Sequence, residues 1–396
     1  MQKIIQKGNK RMSDDVKKLA LDQAKKFGGK LEIKSKVKIN DKKDLSVAYT
    51  PGVAAVSTAI ANNKDLAYSL TTKKNTVAIV SDGSAVLGLG NIGPEAAMPV
   101  MEGKAALFKR FANIDAIPIV LNTQDTEEII KTVKTIAPTF GGINLEDISA
   151  PRCFEIEKRL IDECDIPVFH DDQHGTAIVV LAATYNSLKL IHKKLADIKI
   201  VINGAGTAGL SIAKILLVAG AKDITLLNSK GIINEEDPNL RPHLKNIAKK
   251  TNRKHISGGL HTALKKADLF IGVSVADLLK KEWIKDMADK PIIFAMANPN
   301  PEIMPDKAIA GGAYIVGTGR SDFPNQINNV LAFPGIFRGA LDVRAKKITM
   351  KMQIAAAKGI ASLIPDDQLT PTNIIPDVFQ DGVAKVVATA VENASE

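Results

Sequence analysis

The sequence predicts an α/β protein built from two mostly parallel sheets and closed by a helical tail. Three observations support this. Short apolar runs rich in β-branched residues alternate with amphipathic stretches along most of the chain. A glycine-rich turn joins one of those runs to a helix at 203–209, and polar residues cluster just beyond the ends of several others. With 396 residues the chain is long enough for two domains with sizeable cores, and it carries no internal repeat or low-complexity tract.

The elements follow in order. Residues 1 to about 30 read as a helical lead-in, with Val16, Leu19, Ala20 and Gln23 at helical spacing and Gly28-Gly29 as the stop. A strand at 77–80 runs into Ser81-Asp82-Gly83-Ser84 and a glycine-rich turn at 88–94, and a helix around 98–111 comes next. Strand 116–121, helix 126–136, strand 142–145, helix 154–161 and strand 166–169 complete an alternating first domain. A long apolar helix, 176–191, joins it to a second domain. There a strand at 198–202 leads through the turn to a helix carrying Ile212, Ile215, Leu216 and Ala219 and ending at Gly220. Strands at 224–227, 269–272, 292–296 and 314–317 extend that sheet, and the tail 345–396 reads as helical and is expected to pack back across the domains. The expected division is 1–175, 176–345 and 346–396.

Composition narrows the function classes. Hydrophobic residues make up 45% and charged residues 24%, ordinary values for a globular protein. The two cysteines, Cys153 and Cys164, argue against a disulfide framework, fit a reducing cytoplasm, and have no zinc-type spacing around them. Residues 1–7 have no apolar leader core, and the longest apolar run, 177–183, is too short to span a bilayer, so no membrane association is expected. The net charge of +10 comes from lysines spread along the chain, without aromatic-rich or zinc-finger motifs. It reads as a solvated surface that steers anions rather than as a nucleic-acid site.

The turn Gly204-Ala205-Gly206-Thr207-Ala208-Gly209 is the sharpest local signal. In this pattern the first glycine permits the tight turn, the second lets backbone approach a pyrophosphate, and the third lets helix and strand pack closely. Phosphates sit at the helix N-terminus, where free N–H groups and the macrodipole favour an anion. Inside a complete strand–turn–helix–strand unit this reads as a Rossmann-like, doubly wound dinucleotide-binding domain.

Four polar constellations lie at expected strand ends or on helices. Asn144-Leu145-Glu146-Asp147 and His170-Asp171-Asp172-Gln173-His174-Gly175-Thr176 place carboxylates where they either converge on a hard cation such as Mg²⁺ or Mn²⁺ or cap helices. Tyr49 precedes a Pro-Gly turn, where an aromatic is usually a packing residue. Lys104 stands among apolar residues, either snorkelling to the surface or desolvated into a base with a lowered pKa. Asn298 and Asn328 belong to amide-rich segments able to face a nicotinamide and a carboxylate substrate.

Several of these segments, taken together and in order, resemble the small prokaryotic malic enzymes. They are 47–53 (VAYTPGV), 81–94 (SDGSAVLGLGNIGP), 98–104 (MPVMEGK), 144–147 (NLED), 169–176 (FHDDQHGT) and 297–301 (ANPNP). The resemblance runs from about residue 45 to 340, and no phosphotransacetylase-like extension is expected. It implies oxidative decarboxylation of L-malate to pyruvate and CO₂ with reduction of NAD⁺ or NADP⁺. Under it, Lys104 is the general base for the C2 hydroxyl, Asp171 supports that lysine, and Glu146, Asp147 and Asp172 hold the cation. Tyr49 protonates C3 of the enol, and Asn298 and Asn328 bind the substrate and nicotinamide side. The expected assembly is a homodimer or higher homo-oligomer.

Two departures from the family pattern stand out. The loop Gly83-Ser84-Ala85 lacks the malate-binding arginine of many larger relatives, so another cation must meet that carboxylate. Asn228 stands where an NAD-preferring enzyme carries an acid; it does not repel a 2′-phosphate, and Lys230 attracts one. Malolactic decarboxylation and amino-acid dehydrogenation are the rival chemistries; a silent dinucleotide sensor is the rival outside enzymes.

Overall fold

Four parallel strands form the first sheet: β1 (Thr76–Ser81), β2 (Asp115–Val120), β3 (Gly142–Leu145) and β4 (Val168–His170), in the order β2-β1-β3-β4. The computed structural model describes residues 2–86 and 88–395, with side chains from residue 15 onward. Met1, Leu87 and Glu396, which fall in the lead-in, the glycine-rich turn and the tail, lie outside the described residues. Every residue of β1 is buried, which is why it reads as a continuous apolar run rather than an alternating one. Helices Pro94–Ala112, Thr126–Ile136 and Arg152–Glu163 connect the strands. Thr126–Ile136 shows the local logic. Asp125 caps it by accepting from the Glu128 N–H, acids fill its first turn, and Ile129, Ile130 and Val133 form its buried stripe.

The second sheet holds β5 (Lys199–Asn203), β6 (Asp223–Asn228), β7 (Gly231–Ile232), β8 (Leu269–Gly272), β9 (Ile292–Ala295) and β10 (Ile315–Thr318). Its order is β10-β9-β8-β5-β6-β7, parallel throughout except for the β6–β7 pair. The strand order reverses at β5, so a crevice opens past its C-terminal end. The two-residue β7 has no sequence signature because two residues show no alternation.

Two expectations need correction. The helix expected at 176–191 is Asp171–Ile191, starting directly after β4. Acids in a first turn complement the macrodipole, so Asp171 and Asp172 belong to the helix rather than precede it. The tail is not continuously helical: Met350–Ser362 and Val383–Asn393 are separated by a stretch broken at Pro365, Pro371, Pro376 and Gly382. Both helices do pack back. Met350–Ser362 lies on Asp171–Ile191, and Val383–Asn393 lies on Phe333–Asp342 and touches Pro94–Ala112.

Asp171–Ile191 is buried along most of its length and packs on Thr207–Ala219, so one hydrophobic core runs through both halves. Phe108 contacts Phe333 and Phe337 edge to face at 4.8 and 5.4 Å between ring centres, and Phe337 meets Phe169 at 5.8 Å. By contrast, no side chain from residue 15 to 75 is buried, including those of helices Lys42–Ala48 and Gly52–Asn62.

Candidate active site

The carboxylate cluster follows from strand register. In the β3–β4 pair Leu145 lies opposite His170, so the chain leaves the two strands with Glu146-Asp147 beside Asp171-Asp172. Asp147 turns back with φ of 54°, and its N–H donates to Asp172 Oδ2 at 3.0 Å. Ligand oxygens of Glu146, Asp147 and Asp172 all lie within 4.8 Å of one another. An all-oxygen set of this size suits Mg²⁺ or Mn²⁺, and charge on three facing acids is what such an ion neutralises.

Lys104 points into this cluster from helix Pro94–Ala112. Its Nζ lies 2.5 Å from Asp171 Oδ2, 3.0 Å from Glu146 Oε1, and 4.1 Å from the centre of the Phe333 ring. The expectation of a lowered lysine pKa is corrected here. Burial pulls the ammonium down, but Asp171, then Glu146, outweigh it and hold Lys104 above its ordinary value. The acids move up as well. Burial outweighs the lysine at Asp171, whose pKa is pushed to about 6, and burial together with neighbouring acids raises Asp147 and Asp172. Glu146 is raised chiefly by burial.

Surrounding groups fix these side chains. Asn144 Nδ2 donates to Glu146 Oε2 at 2.8 Å, and the buried Glu157 accepts the His170 N–H at 2.8 Å while pairing with His174 at 2.9 Å. Asn329 Nδ2 donates to Asp171 Oδ2. Sequence reasoning did not single out Asn329. The expected Asn328 is its neighbour, and the Asn328 Oδ1 accepts the Val330 N–H as the cap of a short turn. Nothing in the run Asn325-Gln326-Ile327-Asn328-Asn329 fixes that phase. An arginine does stand at the loop where one was missing from the sequence pattern. Arg152 donates to Asp82 Oδ2 at 2.9 Å, Ser84 Oγ at 3.1 Å and Ser149 Oγ at 3.0 Å.

The crevice past β5 is a second constellation, a cavity of about 710 Å³ bordered by Gly204, Ala205, Gly206, Asn228 and Lys230. Gly206 caps helix Thr207–Ala219, whose first turn supplies Thr207, Ala208 and Gly209. A Cβ at Gly209 would sit 1.7 Å from the Gly204 carbonyl oxygen, so only glycine fits the crossing. Asn228 Oδ1 accepts the Lys230 N–H at 2.8 Å. Arg241 and His243 also border the cavity, contributed by a segment without a readable motif.

Two expected residues stand apart from the buried cluster. Tyr49, at the end of helix Lys42–Ala48, is 66% exposed, so it is not a core residue within one copy of the chain. Asn298 is exposed just past β9.

A Rossmann-type crevice in the same core as a lysine–carboxylate cluster defines a dinucleotide-linked oxidoreductase. Family models agree in detail: the malic enzyme N-terminal domain matches residues 28–161, and the malic enzyme NAD binding domain matches residues 173–395. The chain therefore belongs to the malic enzyme family, NAD(P)-dependent malate oxidoreductases that decarboxylate their substrate. It is 58% identical to a NAD-dependent malic enzyme of Geobacillus stearothermophilus over 93% of this chain and 77% of that one. It is 59% identical to a bifunctional malic/malolactic enzyme of Bacillus subtilis over 93% and 90%. The crystal structure of a NAD-dependent malic enzyme from Thermotoga maritima superposes with a TM-score of 0.92 at 53% identity, covering 94% of this chain and 98% of that one.

Proposed function

We propose that the chain oxidises and decarboxylates L-malate through the group centred on Lys104, with Mg²⁺ or Mn²⁺ held by Glu146, Asp147 and Asp172. The observation that carries this reading is the buried Lys104 Nζ, 2.5 Å from Asp171 and 3.0 Å from Glu146, beside the three facing carboxylates. Lys104 Nζ would take the proton of the C2 hydroxyl, and the dinucleotide, held at the Gly204–Gly209 turn, would supply the hydride acceptor for C2. Asp171, anchored by Asn329, aims that nitrogen. When bound, the divalent cation supplies Lewis-acid stabilisation of charge on the substrate oxygen as CO₂ departs. Its positive charge would also offset part of the acidic charge that raises Lys104, which favours the neutral amine.

Tyr49 is the proposed acid for C3, acting once the exposed N-terminal surface that carries it is covered. That surface, free of buried side chains from 15 to 75, supports a homodimer or higher homo-oligomer. Asn298 and the free amide nitrogen of Asn328 are assigned to the nicotinamide side. Asn228 with Lys230 supports use of both NAD⁺ and NADP⁺. The domain boundaries at 175 and 345 are part of the same reading. Among the described residues no helix is long and apolar enough to cross a membrane, which with the two free cysteines supports a cytoplasmic enzyme.

The test is one assay: purified protein, malate, Mn²⁺ and either dinucleotide, following reduced cofactor and pyruvate together. Equal rates of both products are expected, with full loss on exhaustive chelation. Lactate without reduced cofactor would favour the malolactic reaction, an activity that the Bacillus subtilis relative's name includes. Asp172→Ala should abolish turnover while dinucleotide titration stays unchanged.

A further inference from the structure

A buried acid stands outside the carboxylate cluster and is used by none of the steps above. Glu302 follows the Asn298–Pro301 loop after β9, and its side chain is fully buried. One carboxylate oxygen, Oε1, accepts the Ser274 N–H at 2.8 Å and the Ser274 hydroxyl at 3.2 Å. The other, Oε2, accepts the Ala297 N–H at 3.0 Å. Ser274 Oγ in turn accepts from Asn203 Nδ2 at 2.8 Å. Asn203 is the last residue of β5, immediately before Gly204, and both Asn203 and Ser274 border the dinucleotide cavity. Ala297 immediately precedes Asn298. The chain of bonds thus runs from the phosphate turn, across β8, to the loop assigned to the nicotinamide. The space for it is reserved: β8 ends in Gly272, where a Cβ would lie 2.4 Å from the Glu302 carboxyl carbon.

We propose that Glu302 is a positioning residue for the dinucleotide, locking the Gly204 turn and the Ala297–Asn298 loop at a fixed separation. Two of the three groups facing its carboxylate are backbone N–H donors, one on each oxygen, and the third is the Ser274 hydroxyl, so each oxygen needs to accept. A glutamine there must turn its NH₂ toward a backbone N–H, which breaks one side of the lock while keeping the volume. The inference rests on the reading of this cavity as the dinucleotide's, so wild-type protein is titrated first with NAD⁺ and with NADP⁺. Failure of wild type to bind either would overturn that reading.

With wild-type binding in hand, Glu302→Gln should raise Kd and KM for the dinucleotide by about tenfold or more. KM for malate and the Mn²⁺-dependent decarboxylation of added oxaloacetate, which needs no hydride transfer, should change little. Gly272→Ala, which displaces the carboxylate without altering it, should give the same pattern. Unchanged dinucleotide affinity in either folded variant overturns the positioning role. So does a parallel loss of all activities that tracks melting temperature, since that marks a purely structural acid. If Glu302→Gln does not fold, Glu302→Asp keeps the charge and shortens the reach by one methylene. Wild-type dinucleotide affinity in that variant would also overturn the role.

Discussion

Lys104 shows how a residue's surroundings decide its chemistry. Its burial alone would have made it a free base, but Asp171 and Glu146 make it half of a buried ion pair. Removing one member of such a pair strands the other, so Lys104→Ala should abolish malate oxidation and cost about 3–5 kcal/mol in stability. Steady-state absorbance at saturating Mn²⁺ and a thermal melt check the two effects separately. The raised acids carry a second expectation. Burial together with neighbouring acids raises Asp147 and Asp172, two of the ligands, so cation binding must displace protons at mildly acid pH. Mn²⁺ affinity should therefore fall as pH drops from 8 to 5, by about tenfold per pH unit for each displaced proton below its pKa. Calorimetric titration in two buffers of different ionisation heat counts those protons; a flat profile would show the acids already ionised without metal.

At the scale of elements, what the sequence spelled out was whatever one element settles alone. The alternation of apolar runs with amphipathic helices gave both sheets, and helix Thr126–Ile136 and strand Gly142–Leu145 lie on their predicted residues because their caps and stripes are local. The glycine turn was legible for the same reason. Gly209→Ala should drive a methyl into the Gly204 carbonyl and abolish dinucleotide binding, while metal-dependent oxaloacetate decarboxylation survives. Cofactor titration beside that decarboxylation assay would reveal the split, and loss of both would mean that the whole β5–helix unit had collapsed. What stayed hidden depended on convergence. The sign of the Lys104 shift needed the β3–β4 register, and the place of Asn329 beside Asp171 needed the fold of the turn around it. Helices Lys42–Ala48 and Gly52–Asn62 went unread because they bury no stripe.

Across the whole molecule the two halves share one core. Helix Asp171–Ile191 begins at the carboxylate cluster and packs along Thr207–Ala219, which begins at the dinucleotide turn. Phe337 adds a bridge, touching Phe108 and Phe169 of the first half from a helix of the second. Phe337→Ala should cost about 3–5 kcal/mol. Because the core is continuous, scanning calorimetry should show one transition moved downward rather than a new, earlier one. A split into two transitions would mean that the halves unfold independently and that the shared helix belongs to one of them.

The segment from 15 to 75 has a different relation to its solvent. Ile33 is 98% exposed, and the helices at 42–62 are shorter than the roughly 12–15 residues at which isolated helices become even marginal in water. Among the described residues none of their side chains is buried, so in the proposed homo-oligomer their order should depend on protein concentration. In a dilute sample their amide hydrogens should exchange within the dead time while the strands stay protected. As the chain is concentrated, slowing of that exchange and recovery of specific activity should follow the same curve, because Tyr49 lies on the segment that is being ordered.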